Sequence, residues 1–187
     1  MGDDGNNNIH MRDENETADM VAGQHPDFIV KKIMWDAYER VSSATGHTYP
    51  DVARLIKQQQ QQGALVMDYA GHGSETQISH ARVLTPADVK AFNNPNLPLW
   101  VTASCDIMPF DGTGETLGEA AVLNSKGGAV AFYGTTRTVY TNYNKVINQA
   151  FLRHLLGYNG SAPTTLGEAQ RLAKNELIDT SHDLTAN

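Results

Sequence analysis

The 187-residue chain has one cysteine. A single thiol excludes an internal disulfide and leaves too few sulfur ligands for a thiolate zinc site. Positive charge is scarce too. The 14 Lys and Arg residues are outnumbered by 21 Asp and Glu, giving a net charge of −7, and no Lys/Arg cluster forms. That balance argues against nucleic acid as a partner. No apolar run approaches the roughly 20 residues of a membrane span. The opening MGDDGNNNIH is acidic and polar, unlike a secretory leader. No internal repeat is evident. What remains is a globular composition, 40% hydrophobic and 19% charged, in a chain long enough for one domain with a core.

Apolar runs alternate with helical patterns. Residues 1–16 read as a polar loop, followed by a short helix over ETADMVAG. FIVKKIMW, residues 28–35, reads as a strand near a sheet edge. Thr48-Tyr49-Pro50 opens a helix with Val52, Leu55 and Ile56 as its apolar stripe. Its glutamine run, KQQQQQ, reads as a solvated helix end. Strands are expected at 64–69, at 99–104 and over AVAFYG, residues 129–134. Thr85 before Pro86 marks one helix start, and Thr116 and Thr165, each three residues before a glutamate, mark two more. Residues 142–156 read as a helix with Val146, Ala150 and Leu155 facing inward. The β–α–β–α order implies an α/β fold, a mostly parallel sheet with helices on both faces.

Two strand ends carry the candidate chemistry. ALVMDYA empties into Gly71-His72-Gly73, and LWVTAS empties into Cys105. Ligands of open parallel sheets bind outside the carboxyl ends of the strands. A thiol is a good nucleophile as thiolate, and an adjacent imidazole can take its proton. Glycines beside the histidine let a substrate approach the backbone and free an N–H for an oxyanion. Taken singly, each residue also has a plain reading: a cysteine after a strand as a small buried hydrophobe, a histidine near a turn as a surface residue.

YAGHGSET, LTPADVKAFNN and LPLWVTASCD, in this order, resemble the gingipain family of cysteine peptidases, family C25. GDDGNNNIH, MPFDGTGETLGEAAVLN, GGAVAFYGTTRTVYTNYN and LGEAQRLAKN are similar to the branch of that family that acts as the sortase of type IX secretion. The resemblance covers the chain from Asp3 to about Asn175. It implies a caspase-like three-layer sandwich and a cysteine endopeptidase. On the matching positions, Cys105 would be the nucleophile and His72 the general base. The backbone N–H groups of Gly73 and Cys105 would form the oxyanion hole. Residues 133–138 would wall the specificity pocket, with Arg137 a pocket candidate or a surface ion pair. The acid that orients the histidine stays open among Asp3, Asp4 and Asp13.

The resemblance also implies protein substrates bearing C-terminal sorting domains, an amine acceptor, other outer-membrane secretion proteins as partners, and a place at the bacterial surface or outside the cell. Two other functions stand beside the sortase: a non-catalytic caspase-like binding module and a general secreted protease. No cofactor is expected. DDGNNN has the composition of a calcium loop, but Asp4-Gly5-Asn6-Asn7 breaks its register, so no metal site is expected either. In this family a strand is expected before the MGDDG loop and another after the last helix. The chain is therefore read as one caspase-like peptidase domain, 1–187, belonging to a larger protein and lacking those first and last strands.

Overall fold

The computed structural model describes residues 1–44 and 46–182. In chain order the elements are α1 (Gly5–Gln24), a 3-10 turn (Trp35–Ala37), a hairpin of β1 (Val41–Ser43) and β2 (Gly46–Thr48), α2 (Pro50–Gln62), β3 (Val66–Ala70), a second hairpin of β4 (Gly73–Ser74) and β5 (Gln77–Ile78), α3 (Pro86–Lys90), β6 (Leu99–Ala103), α4 (Leu117–Leu123), β7 (Ala131–Tyr133), α5 (Thr141–Leu156) and α6 (Leu166–Ser181).

The main sheet has the order β3-β6-β7, and both pairings are parallel. Side chains alternate across it, as the pleat requires. Met67, Tyr69, Trp100 and Phe132 point to one face, where Val52 and Ile56 of α2, Val89 of α3 and Leu117 and Ala121 of α4 cover them. Val66, Leu99, Val101, Ala131 and Tyr133 point to the other, under Met20 and Val21 of α1, Phe151 and Leu152 of α5 and Ala169 and Ala173 of α6. Two faces, each buried by helices, make a three-layer α/β sandwich. Helices α3 and α4 start on capping boxes, Thr85 with Asp88 and Thr116 with Glu119.

Several expectations change. Residues 1–16 are not a loop, because α1 begins at Gly5. Asn6, Asn7 and Asn8 take positive φ values of 52°, 55° and 63°, a left-handed turn that asparagine tolerates, before the regular helix. The buried residues of α1 are His10, Met11, Glu14 and Thr17. A helix whose inner face is mostly polar shows no apolar stripe in its sequence. Residues 28–35 do not form a strand. Only Met34 makes a bridge, to Gly2. The glutamine run is not wholly solvated either. Gln60 is fully buried, donates to the Gly128 carbonyl at 2.6 Å and accepts from the Trp100 indole at 2.9 Å.

The edge of β3 away from β6 is partly paired. Gly2 bridges in parallel to both Ala70 and Met34. The Asp3 N–H donates to the Ala70 carbonyl at 3.1 Å, and the Ala70 N–H to the Met1 carbonyl at 2.9 Å. Met1–Asp3 thus form a short length of strand between β3 and residues 33–35.

Candidate active site

Strands β3 and β6 pair with Ala70 opposite Ala103. His72 lies two residues beyond the first and Cys105 two beyond the second, so both leave the sheet at the same level on its carboxyl rim. The Gly71 N–H extends the ladder by one bond, to the Ala103 carbonyl at 3.3 Å. The two loops then touch. A Cβ on Gly73 would lie 2.8 Å from the Ser104 hydroxyl and 2.9 Å from the Cys105 carbonyl oxygen. Only glycine lets the histidine loop pack this closely on the cysteine loop.

His72 is held from several sides. Its carbonyl accepts from the Tyr69 hydroxyl at 2.7 Å and from the Ser79 N–H at 2.8 Å, so the turn after β5 fixes its backbone. Its ring stacks on His80, with centroids 4.2 Å apart and planes 12° from parallel. The His10 ring meets it edge-on at 5.2 Å. Burial lowers the His10 pKa below the ordinary imidazole value, Asp3 opposing and His72 adding to the shift. Among the described residues, no three His, Cys, Asp or Glu side chains are grouped to hold a metal ion.

The three acids left open in sequence are now distinct. Asp3 lies beside His72. Its Oδ1 accepts from the Gly5 N–H at 2.6 Å and its Oδ2 from the Tyr69 hydroxyl at 3.2 Å. A Cβ on Gly5 would sit 2.7 Å from His72 Nε2 and 2.9 Å from Asp3 Oδ1, so ring and carboxylate flank the same glycine. Asp4 instead accepts from the Tyr49 hydroxyl at 2.5 Å, and burial together with that bond pushes the Tyr49 pKa up to about 12. Asp13 pairs with Lys145 at 3.1 Å.

Cys105 is half-buried. Its thiol lies against the Val139 backbone, 3.5 Å from both the N–H and the carbonyl oxygen. The loops after β6 and β7 are laced together along this rim. Asp106 N–H donates to the Arg137 carbonyl, Met108 N–H to the Thr135 carbonyl, and the Thr138 hydroxyl to Asp106. Arg137 forms an exposed ion pair with Asp111 at 2.6 Å, which lowers the Asp111 pKa. His10 and His80 escaped the sequence reading. His80 is brought back by the β4–β5 hairpin, and His10 lies on the polar inner face of α1.

The arrangement defines a caspase-like α/β sandwich of the gingipain type. Its fold superimposes on the crystal structure of the Arg-specific cysteine proteinase gingipain R (RgpB) with a TM-score of 0.72, over 96% of this chain and 40% of that one, at 19% identity. The complex of the RgpB pro- and mature domains from Porphyromonas gingivalis gives 0.70 at the same identity and coverage. A third structure, of a protease, gives 0.50 at 18% identity, over 66% of this chain and 30% of that one. The chain thus spans two fifths of the length of the gingipain chains it matches. No curated protein matches it. The model of peptidase family C25 matches residues 1–187, and the chain belongs to that family.

Proposed function

We propose that the chain carries the catalytic centre of a cysteine endopeptidase, with Cys105 as nucleophile and His72 as base. The observation that supports this most is the shared level of the two residues, two positions beyond the paired Ala70 and Ala103. His72 takes the thiol proton as Sγ attacks the scissile carbonyl carbon. The carbonyl oxygen becomes an oxyanion facing the backbone N–H groups of Gly73 and Cys105. Collapse breaks the C–N bond, and the leaving amine takes the proton from His72. The product is a thioester on Cys105. Asp3, whose carboxylate flanks Gly5 together with the imidazole, serves as the acid that orients the ring.

Water or an amine can resolve the thioester, so hydrolysis and transpeptidation share their first half. The sequence resemblance to the type IX secretion sortase branch, PorU, supports the second outcome. In that role the parent protein acts at the bacterial surface, removes C-terminal sorting domains from secreted proteins and passes the acyl group to an amine. The test is intact-mass analysis of the chain with a peptide spanning a sorting-domain junction, with and without glycinamide. Acylation at Cys105 and a glycinamide-capped product support the sortase. Acylation with only a carboxylate product supports a plain protease. No acylation with any peptide contradicts both.

A further inference from the structure

The start of α1 departs from ordinary helix geometry beside the proposed base. Asn6, Asn7 and Asn8 lie in the left-handed region, with φ of 52°, 55° and 63°, and all three are exposed. Asparagine visits that region as a single residue. Three in succession store strain, which persists where the surrounding structure holds it and clusters at functional sites. Two contacts come with this turn. Gly5 lies on the His72 ring, where an added Cβ would be 2.6 Å from Cδ2 and 2.7 Å from Nε2. The Asn6 amide nitrogen comes within 3.2 Å of His10 Nε2.

His10 is 5% exposed. Its ring meets the His72 ring edge-on, with centroids 5.2 Å apart and planes 78° from parallel. An amide nitrogen only donates, so Nε2 accepts from Asn6 and the His10 ring is neutral, with its hydrogen on Nδ1. A further proton can enter only at Nε2, where it breaks the bond to Asn6, since two donors do not pair. The charges around the ring are mixed. Asp3, from the segment before α1, and Asp13, from α1 itself, favour a positive His10, while burial and His72 oppose it. Glu14 of α1 and Lys145 of α5 line the same small void as His10. Lys145 is paired with Asp13 and Glu16, at 3.1 and 2.7 Å. Burial outweighs the rest, and the ring takes a proton less readily than an ordinary imidazole.

We infer that His10 is a positioning residue for the base: neutral and held by Asn6, it steadies the His72 ring, and once protonated it leaves Asn6 and opposes the positive charge that His72 must carry. The inference rests on the reading of His72 as the base of Cys105. In that mechanism His72 takes the thiol proton and becomes an imidazolium. A second cation with its ring centre 5.2 Å away disfavours that form. The thiol then keeps its proton and the centre falls silent in acid. Asn6 sets where this happens, because a hydrogen bond to the neutral form of a group resists its ionisation. The left-handed turn that places the Asn6 amide thereby governs the acidity at which Cys105 loses its reactivity.

The test is the pH profile of Cys105 alkylation by iodoacetamide, read by intact mass in the native chain, His10→Gln, Asn6→Gly and His72→Ala. Glutamine offers Asn6 an acceptor in place of Nε2 and takes no charge. His10→Gln should therefore keep its reactivity further into acid, with the midpoint of the decline about half a pH unit or more below native. Asn6→Gly keeps the left-handed turn and loses the amide. His10 then protonates sooner, and the midpoint should rise by about as much. A packing role alone would change the rate alike at every pH and move neither midpoint. If His10→Gln does not fold, Asn6→Gly, a change in an exposed turn, carries the test. Coincident midpoints in the native chain and these two variants, with reactivity lost in His72→Ala, overturn the inference and leave the dyad standing. A midpoint that rises in His10→Gln overturns it as well. A His72→Ala chain as reactive as the native one removes the dyad, and this inference with it.

Discussion

The His80 ring lies flat on the His72 ring, with centroids 4.2 Å apart. The outer ring of the stack is exposed and the inner one half-buried, so His80 shields one face of the proposed base and limits its rotation. Aromatic pairs are worth about 0.5–1.5 kcal/mol beyond their buried area, roughly twofold to tenfold in the population of the held orientation. His80→Ala should lower kcat by about that factor with KM little changed, and His80→Phe should restore most of it. Equal losses in the two variants would assign His80 a role other than stacking.

Gly5 packs against the same ring. A methyl group there would meet His72 Nε2 at 2.7 Å, and the imidazole would have to move. A displacement of about 1 Å at a catalytic group can cost about a hundredfold in rate. Gly5→Ala should therefore reduce peptidase activity strongly while the chain stays folded. Gly167→Ala, in α6 with nothing within 4 Å of the added carbon, should leave activity intact.

Gln60 joins α2 to the sheet through polar groups inside the core. Gln60→Ala strips the Trp100 indole N–H of its acceptor and leaves a void. An unsatisfied buried donor costs about 1–3 kcal/mol, and the lost packing adds to it. Chemical denaturation should show a loss of at least about 2 kcal/mol. A change under 0.5 kcal/mol, the range of a surface substitution, would mean that the site relaxes or admits water.

Asp68 gives a pH signature. Burial raises its pKa well above the ordinary carboxylate range, and the Glu14 charge raises it further, while the Met1 ammonium and the Asn148 amide pull it back. A folded-state pKa above the unfolded one means that the native state binds more protons across that window. This contribution is fully present below the unfolded pKa and is lost as pH rises through the folded one. His10 opposes it. Its lowered pKa favours the folded state above the ordinary imidazole range, and that benefit fades as pH falls. Asp68→Asn removes the first effect alone. The variant should gain stability over the native chain steadily as pH rises from 4 to 7 in thermal melts. Parallel curves would show that Asp68 ionises freely.

The sequence exposed those parts of the fold whose local chemistry and tertiary role agree. Strands β3 and β6 are apolar because both of their faces are buried, and Thr85 and Thr116 mark helix starts through their own hydroxyls. Cys105 and His72 stood out because each follows such a strand. Helix α1 was hidden because its inner side presents His10, Glu14 and Thr17, whose burial depends on partners distant in sequence. Gln60 looked like part of a solvated run, since nothing local reveals Trp100 above it. Residues 28–35 carry a strand pattern, but pairing needs a neighbour, and Gly2 provides one only at Met34. That Asp3 lies nearer the His72 ring than its sequence suggests likewise depends on the Gly5 and Tyr69 contacts.

Because Cys105 is the only thiol in the chain, its reaction with iodoacetamide can be followed by intact mass with no competing site. This is the most direct test of whether His72 serves it. A cysteine in general is only a few per cent thiolate at neutral pH, and a neighbouring base raises its reactivity. Alkylation of the native chain at pH 6–7 should exceed that of His72→Ala by about tenfold or more, with near-equal rates above pH 10 where any thiol is ionised. Equal rates for the two chains across the whole range would contradict the dyad, and with it the proposed peptidase centre.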